Sequence, residues 1–411
     1  MKSEPQAYSG RIIHLTEKKT VTHLGQRGSG SLEPSARSVV WSHCRLNEGP
    51  LVPETRRHGR IEGLDLIRGL AIGLVLLRHA WPSTFGGGGI VGVVMFFALS
   101  GYLITGLLLS DIGRFGRVRY GRFYRNRALR LVPALVLMLG VLAVVTLILD
   151  PWGDKAGLGR ALLIGITYTG NLPIPLGSSG ISHLWTLATE EQFYLVWPIL
   201  LAIGVRFRRM RWVLAVSVLA IATVMIASML MTAPDITRIY TLPSSWAIAM
   251  VIGAAAYVGQ DALGRLLPKS GIPRAALSLL SLGILMVITF SPIAKSWHLT
   301  YVAIGPLVAL LTVVIILHLR EWKTLPKRWL KPALALGTIS YAAYLWNYPV
   351  VLWLSATPAI PHGPLLSLPI TLLAATLSWW LVERPALAWK ARLDAPRSTP
   401  AQSAPALLEQ S

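Results

Sequence analysis

Ten apolar runs, most about 18 to 20 residues long, recur along the chain, at roughly 64 to 82, 89 to 109, 131 to 149, 184 to 203, 212 to 231, 242 to 259, 275 to 293, 299 to 317, 333 to 355 and 364 to 382. Each has the length a helix needs to cross the hydrocarbon core of a bilayer, roughly 30 Å. Backbone polar groups in lipid find no water, so segments of this kind cross as helices that satisfy their own hydrogen bonds. The expected fold is therefore all-α, a polytopic membrane helix bundle of about ten transmembrane helices. A further stretch, LGRALLIGITYTGNLPIPLG from Leu158, is apolar over only half its length and then turns into an Asn-Pro-Ile-Pro segment. That pattern suits a re-entrant or surface element.

The charge distribution orients the bundle. The chain carries a formal net charge of +21. In a soluble protein that excess would point to nucleic acid, but here the cations sit between apolar runs. With both termini cytoplasmic, the inside loops and C-terminal stretch hold 23 Lys and Arg residues, against Lys155, Arg160, Arg238 and Lys295 outside. This bias follows the positive-inside rule, so the reading is topology control in a multi-pass protein of the cell's inner (plasma) membrane, with no nucleic-acid partner. Residues 1–60 are polar, broken by Gly, Pro and Ser, and read as a flexible basic cytoplasmic tail. Residues 61–385 form the membrane domain, and 386–411 read as a disordered cytoplasmic tail. Cys44 is the single cysteine, which excludes an internal disulfide and a cysteine-based metal cluster.

Ionisable groups at membrane depth are costly, by roughly 2.5 to 3.5 kcal/mol on insertion scales, and face a protein interior or a wet cavity. LDLIRGLAIGLVLLRHAW from Leu64 carries Asp65, Arg68, Arg78 and His79. Arg68 and His79 return to nearly the same helix face, about 16 Å apart along the axis. Asp65, one turn before Arg68, is placed to hold its guanidinium. Arg78 lies off that face and is expected to snorkel to the headgroups, with no chemical role. SHLWTLATEEQFYLVWP from Ser182 carries Glu190 and Glu191 inside an apolar run; adjacent residues point about 100° apart, so at least one lines an internal cavity. FYRNRALRLVP from Phe123 brings Arg125, Arg127 and Arg130 to the cytoplasmic side as a basic surface for a phosphorylated ligand. The chain has no Walker loop, no His-Glu-x-x-His and no Gly-x-Ser-x-Gly, so nothing supports a redox, ATPase or zinc-hydrolase reading, and no metal site is expected.

From Gly63 to Pro385 the chain resembles the acyltransferase-3 family of integral membrane O-acyltransferases. The resemblance rests on the Arg68-x10-His79 pair, FFALSGYLIT from Phe96, NRALRLVPAL from Asn126, HLWTLATEEQFYLVWP from His183 and ISYAAYLWNYPVV from Ile339. It implies transfer of an acyl group, acetyl by default, from acyl-CoA to a hydroxyl of an envelope carbohydrate or lipid-linked sugar. In that scheme His79 is the catalytic base or a transient acyl carrier, and Glu190 or Glu191 orients it or binds the acceptor. Arg68, Arg127 and Arg130 engage the donor's phosphates. Acyl-CoA is a co-substrate, and no permanently bound cofactor is implied. The sequence departs at Asn347, where the family commonly has His; an amide donates and accepts hydrogen bonds but cannot act as a base near neutrality. The alternatives are acylation of a small secreted molecule such as a macrolide and, from a different class, a secondary transporter or flippase. Against the carrier reading, no matching pair of broken helices appears in two halves, and the buried charges crowd into the first half.

Overall fold

The computed structural model describes residues 61–268, 271–293, 295–356 and 363–394. The expected tail over 1–60, and the part of the C-terminal tail beyond Asp394, lie outside the described residues. Among the described residues all regular structure is helical. The helices are α1 (Glu62–Ala80), α2 (Gly88–Phe115), α3 (Tyr120–Leu149), α4 (Leu158–Thr167), α5 (Trp185–Arg206), α6 (Met210–Thr232) and α7 (Ala247–Val258). They continue with α8 (Gln260–Leu266), α9 (Ile272–Phe290), α10 (Gly305–Leu319), α11 (Lys331–Thr338), α12 (Ser340–Ser355), α13 (Gly363–Ser378) and α14 (Arg384–Asp394).

Six helical segments are long and apolar enough to cross a membrane, or seven if α7 and α8, bent by 80° at Gly259, count as one broken span. The difference from ten has physical causes. Helices α1 and α5 are long enough but carry Glu62, Asp65, Arg68 and Arg78 in one, and Glu190 and Glu191 in the other. The 333 to 355 run is divided at Ile339 into α11 and α12, and the 242 to 259 run is helical only from Ala247. The segment from Leu158 forms the ten-residue helix α4, whose rise of about 15 Å falls short of a crossing. Helix α14 carries regular structure to Asp394, past the expected start of the tail at 386. Its last residue is held by Arg122, Arg125 and Asn126 of α3, each at 2.9 Å.

Helix α1 sits among α2, α10, α11, α12 and α13. Ile67, Ala71 and Ile72 are completely buried there, so its polar residues face protein and not lipid. Close backbone approach makes this crowding possible. A Cβ on Gly101 of α2 would come within 1.9 Å of the Met250 carbonyl of α7, and one on Gly253 of α7 within 1.9 Å of the Ala98 carbonyl. Small residues at helix crossings are the membrane solution to association without a hydrophobic driving force. Leu195, Val196 and Ile203 of α5, Leu219 and Leu230 of α6, Leu280 and Val287 of α9, and Leu373 and Leu377 of α13 remain exposed. An apolar exterior on this scale is the lipid-facing surface of a multi-pass membrane protein.

Candidate active site

Because α1 runs through the bundle, it carries its functional groups to two separate places. At its C-terminal end the half-buried His79 meets Asn347 of α12. His79 Nδ1 lies 2.5 Å from Asn347 Oδ1, and the Asn347 Nδ2 donates to Thr371 Oγ1 of α13 at 3.4 Å. Asn347 and Thr371 are both completely buried. An amide whose nitrogen is engaged by Thr371 presents its oxygen to the imidazole. With the amide oxygen facing the ring, the tautomer that satisfies this contact has its proton on Nδ1 and leaves Nε2 as an acceptor. The orienting group for His79 is this amide. The neighbouring glutamates have other partners.

Aromatic rings close this end. Tyr348 presents an edge to His79, with centroids 5.5 Å apart, and stacks on His183 at 5.2 Å. His183 is buried in the turn Ser179–Leu184, between Tyr344 and Tyr348. The Tyr344 hydroxyl donates to the His183 carbonyl at 2.7 Å and accepts from Thr186 Oγ1 at 2.6 Å. Arg78 does not snorkel; its Nε donates to the Gly86 carbonyl at 3.0 Å, tying α1 to the turn before α2. Beyond it, the Lys295 ammonium lies 4.1 Å from the centre of the Tyr240 ring. Burial, with the nearby Arg78 charge, holds its pKa below that of an ordinary lysine.

The second group gathers around the N-terminal half of α1. Arg68 Nη1 donates to Asp65 Oδ1 at 2.9 Å, as the spacing anticipates. Arg127 Nε donates to Glu191 Oε1 at 2.7 Å, and its guanidinium lies 3.4 Å from the centre of the Tyr194 ring. Glu190 accepts from Ser100 Oγ of α2 at 2.7 Å. The exposed Arg130, one turn after Arg127, lies within electrostatic reach of Arg68, Arg127 and the buried Glu383 that follows α13. Since α3 begins at Tyr120, the Arg-rich stretch is itself helical and delivers Arg127 and Arg130 to one side. Arg125 is drawn away to Asp394.

The structure thus divides the sequence-predicted residues into two sets. Arg68, Arg127 and Arg130 form a cationic cluster with Glu191, and Glu190 is held by α2. His79 stands apart with Asn347. Sequence reasoning assigned no role to Tyr344, Tyr348 or His183, although all three lie within the quoted motifs. The available signal was a lone imidazole at the start of the helix that carries Glu190 and Glu191.

Such an arrangement can carry out a two-sided transfer. An imidazole stands at one end of a helix, a cationic cluster lies toward the other, and the bundle lies between them. Comparisons with known proteins bear on the class of reaction. The model of a family described as an acyltransferase domain matches residues 61–384. The chain is 28% identical over 366 residues to the Bacillus subtilis protein YrhL, covering 81% of this chain and 56% of that protein. It is 28% identical over 367 residues to the peptidoglycan O-acetyltransferase OatA of Listeria monocytogenes, covering 80% and 57%. With the O-acetyltransferase OatA of Staphylococcus aureus it shares 26% over 351 residues, covering 79% and 57%. The chain thus spans a little over half the length of these relatives. No solved structure matches it.

Proposed function

The chain belongs to the acyltransferase-3 family, and on that premise we propose that it is a membrane O-acyltransferase. It moves an acyl group, acetyl by default, from a cytoplasmic acyl-CoA to a hydroxyl of an envelope carbohydrate or lipid-linked sugar. The name of the Listeria relative makes peptidoglycan the first acceptor to test. In this reading both termini are cytoplasmic and the shorter or charge-bearing helices join the apolar ones in about ten crossings, so that the Arg68 cluster is on the donor side and His79 toward the acceptor side.

The observation that carries this reading is the Asn347–His79 hydrogen bond. With the proton on Nδ1, Nε2 is oriented and free to accept, as a general base requires, and this supports the reading. Nε2 removes the proton of the acceptor hydroxyl as its oxygen attacks the thioester carbonyl. The tetrahedral intermediate then collapses, the carbon–sulfur bond breaks, and the thiolate leaves with the proton from the imidazolium. An ester and free CoA result. Arg68, Arg127 and Arg130 hold donor phosphates through charge-assisted hydrogen bonds. The Glu191 carboxylate keeps Arg127 extended toward the cluster. Glu190, held by Ser100, contributes a second acceptor on the same helix for the substrate.

The test is CoA release. Purified protein in bilayer discs, given acetyl-CoA and peptidoglycan fragments, is expected to release free CoA only when the acceptor is present. A protein that releases no CoA but, in sealed vesicles, moves substrate across the membrane refutes the reading in favour of a carrier.

A further inference from the structure

Of the five cations from Arg320 to Lys331, where α10 gives way to α11, Arg320 is committed to the Tyr102 hydroxyl, at 3.2 Å, and to Gln260. Lys327, Arg328 and Lys331, by contrast, converge on the wall of a cavity of about 510 Å³ that Glu62, Leu325 and Leu334 help to line. All three are exposed, and among the described residues none makes a side-chain ion pair or hydrogen bond. Positive-inside topology requires cations in this segment but not their convergence on one concavity. The concavity is also preformed. Gly63 N donates to the Trp322 carbonyl at 3.0 Å, and Leu325 N donates to Glu62 Oε2 at 2.7 Å. A Cβ on Gly63 would come within 2.0 Å of the Leu319 carbonyl, so the start of α1 and this segment are locked together.

We infer that this cavity holds the phosphorylated nucleotide end of the acyl donor, a site separate from the Arg68, Arg127 and Arg130 cluster. The inference rests on the acyl-CoA reading of the preceding section. Its volume falls within the roughly 300 to 1,000 Å³ of small-molecule sites. Leu325 and Leu334 supply an apolar floor for a purine, and the three cations supply donors for the 3′-phosphate. Glu62 and His79 are the two ends of α1, about 25 Å of helix rise apart. A donor whose nucleotide and thioester sit at opposite ends of a long arm matches that separation. The Arg68 cluster, partway along α1, then meets the diphosphate that joins the nucleoside to the arm.

The experiment measures binding of CoA, dephospho-CoA and adenosine 3′,5′-bisphosphate to the full chain in phosphatidylcholine discs. It compares wild type with Lys327→Ala, Arg328→Ala, Lys331→Ala and the triple variant. The residues are exposed, so the variants are expected to fold, and thermal unfolding checks this. The inference expects wild type to bind CoA and the bisphosphate competitively. Each single substitution weakens CoA binding roughly tenfold and the triple variant more than a hundredfold. Dephospho-CoA binds wild type less well than CoA does and is less affected by the substitutions. A triple variant that binds CoA like wild type overturns the inference and leaves the acyl-CoA reading standing. Loss of the difference between wild type and variants when the discs contain phosphatidylglycerol assigns the cations to lipid headgroups and likewise overturns it. A wild type that binds no CoA overturns both this site and the donor on which it rests.

Discussion

Replacing Asn347 by leucine removes the group that fixes the His79 tautomer while keeping nearly the same side-chain volume. The wild-type amide is completely buried, accepts from Nδ1 at 2.5 Å and donates to Thr371 at 3.4 Å. Without it, Nδ1–H has no acceptor, which costs about 1 to 3 kcal/mol for a buried polar group. The imidazole recovers part of that by turning or by moving its proton to Nε2, and either change removes the base. With each 1.36 kcal/mol worth a factor of ten, the expected loss in kcat is roughly 10- to 100-fold. Donor KM should change less than twofold, because the cationic cluster contains no contact to Asn347. The assay is acetyl transfer from acetyl-CoA at saturating acceptor, with kcat and donor KM determined separately. Asn347→His, whose unprotonated ring nitrogen can accept from Nδ1 in place of the amide oxygen, should retain activity within about fivefold. An Asn347→Leu enzyme with wild-type kcat, or one with unchanged kcat and a raised donor KM, would refute the positioning role.

Further substitutions separate the parts of the account. Arg68→Ala should raise donor KM about tenfold or more while lowering kcat less, as steady-state kinetics at varied acetyl-CoA will show. Glu191→Ala strands the Arg127 guanidinium, bonded at 2.7 Å; the expected destabilisation is roughly 2 to 4 kcal/mol, seen as a lower thermal midpoint in detergent, and Glu191→Ala with Arg127→Met should recover part of it. Gly101→Val forces apart α2 and α7, where even a Cβ meets Met250 at 1.9 Å, and should abolish monodisperse expression. Gly140→Ala and Gly283→Ala, where a Cβ meets nothing within 4 Å, should be neutral or stabilising by up to about 1 kcal/mol.

What the sequence disclosed was whatever depends on local pattern. The apolar runs locate α2, α3, α6, α9 and α13, and helical periodicity anticipates Arg68 against Asp65. Contacts between distant segments were out of reach. His79 and Asn347 are 268 positions apart, and an amide at a position where an imidazole is common reads as a loss until the fold brings it against His79. Glu191 was read as a partner for His79 or acceptor because periodicity gives a residue's face but not the identity of the helix opposite. The structure puts Arg127 there. Arg78 was read as snorkelling because nothing local announces that the turn at Gly86 folds back to accept its Nε–H. The ten-run count treats every apolar stretch as one straight crossing, and the 80° bend at Gly259 is invisible to that reasoning.

The most direct test of the central claim follows radiolabelled acetyl-CoA into envelope glycan and lipid, in membranes bearing wild type or His79→Ala at matched protein levels. The account predicts label that wild type alone transfers, alkali-labile as an ester is, with the His79→Ala protein still inserted and folded. Equal labelling by both proteins would contradict the assignment of His79 Nε2 as the base.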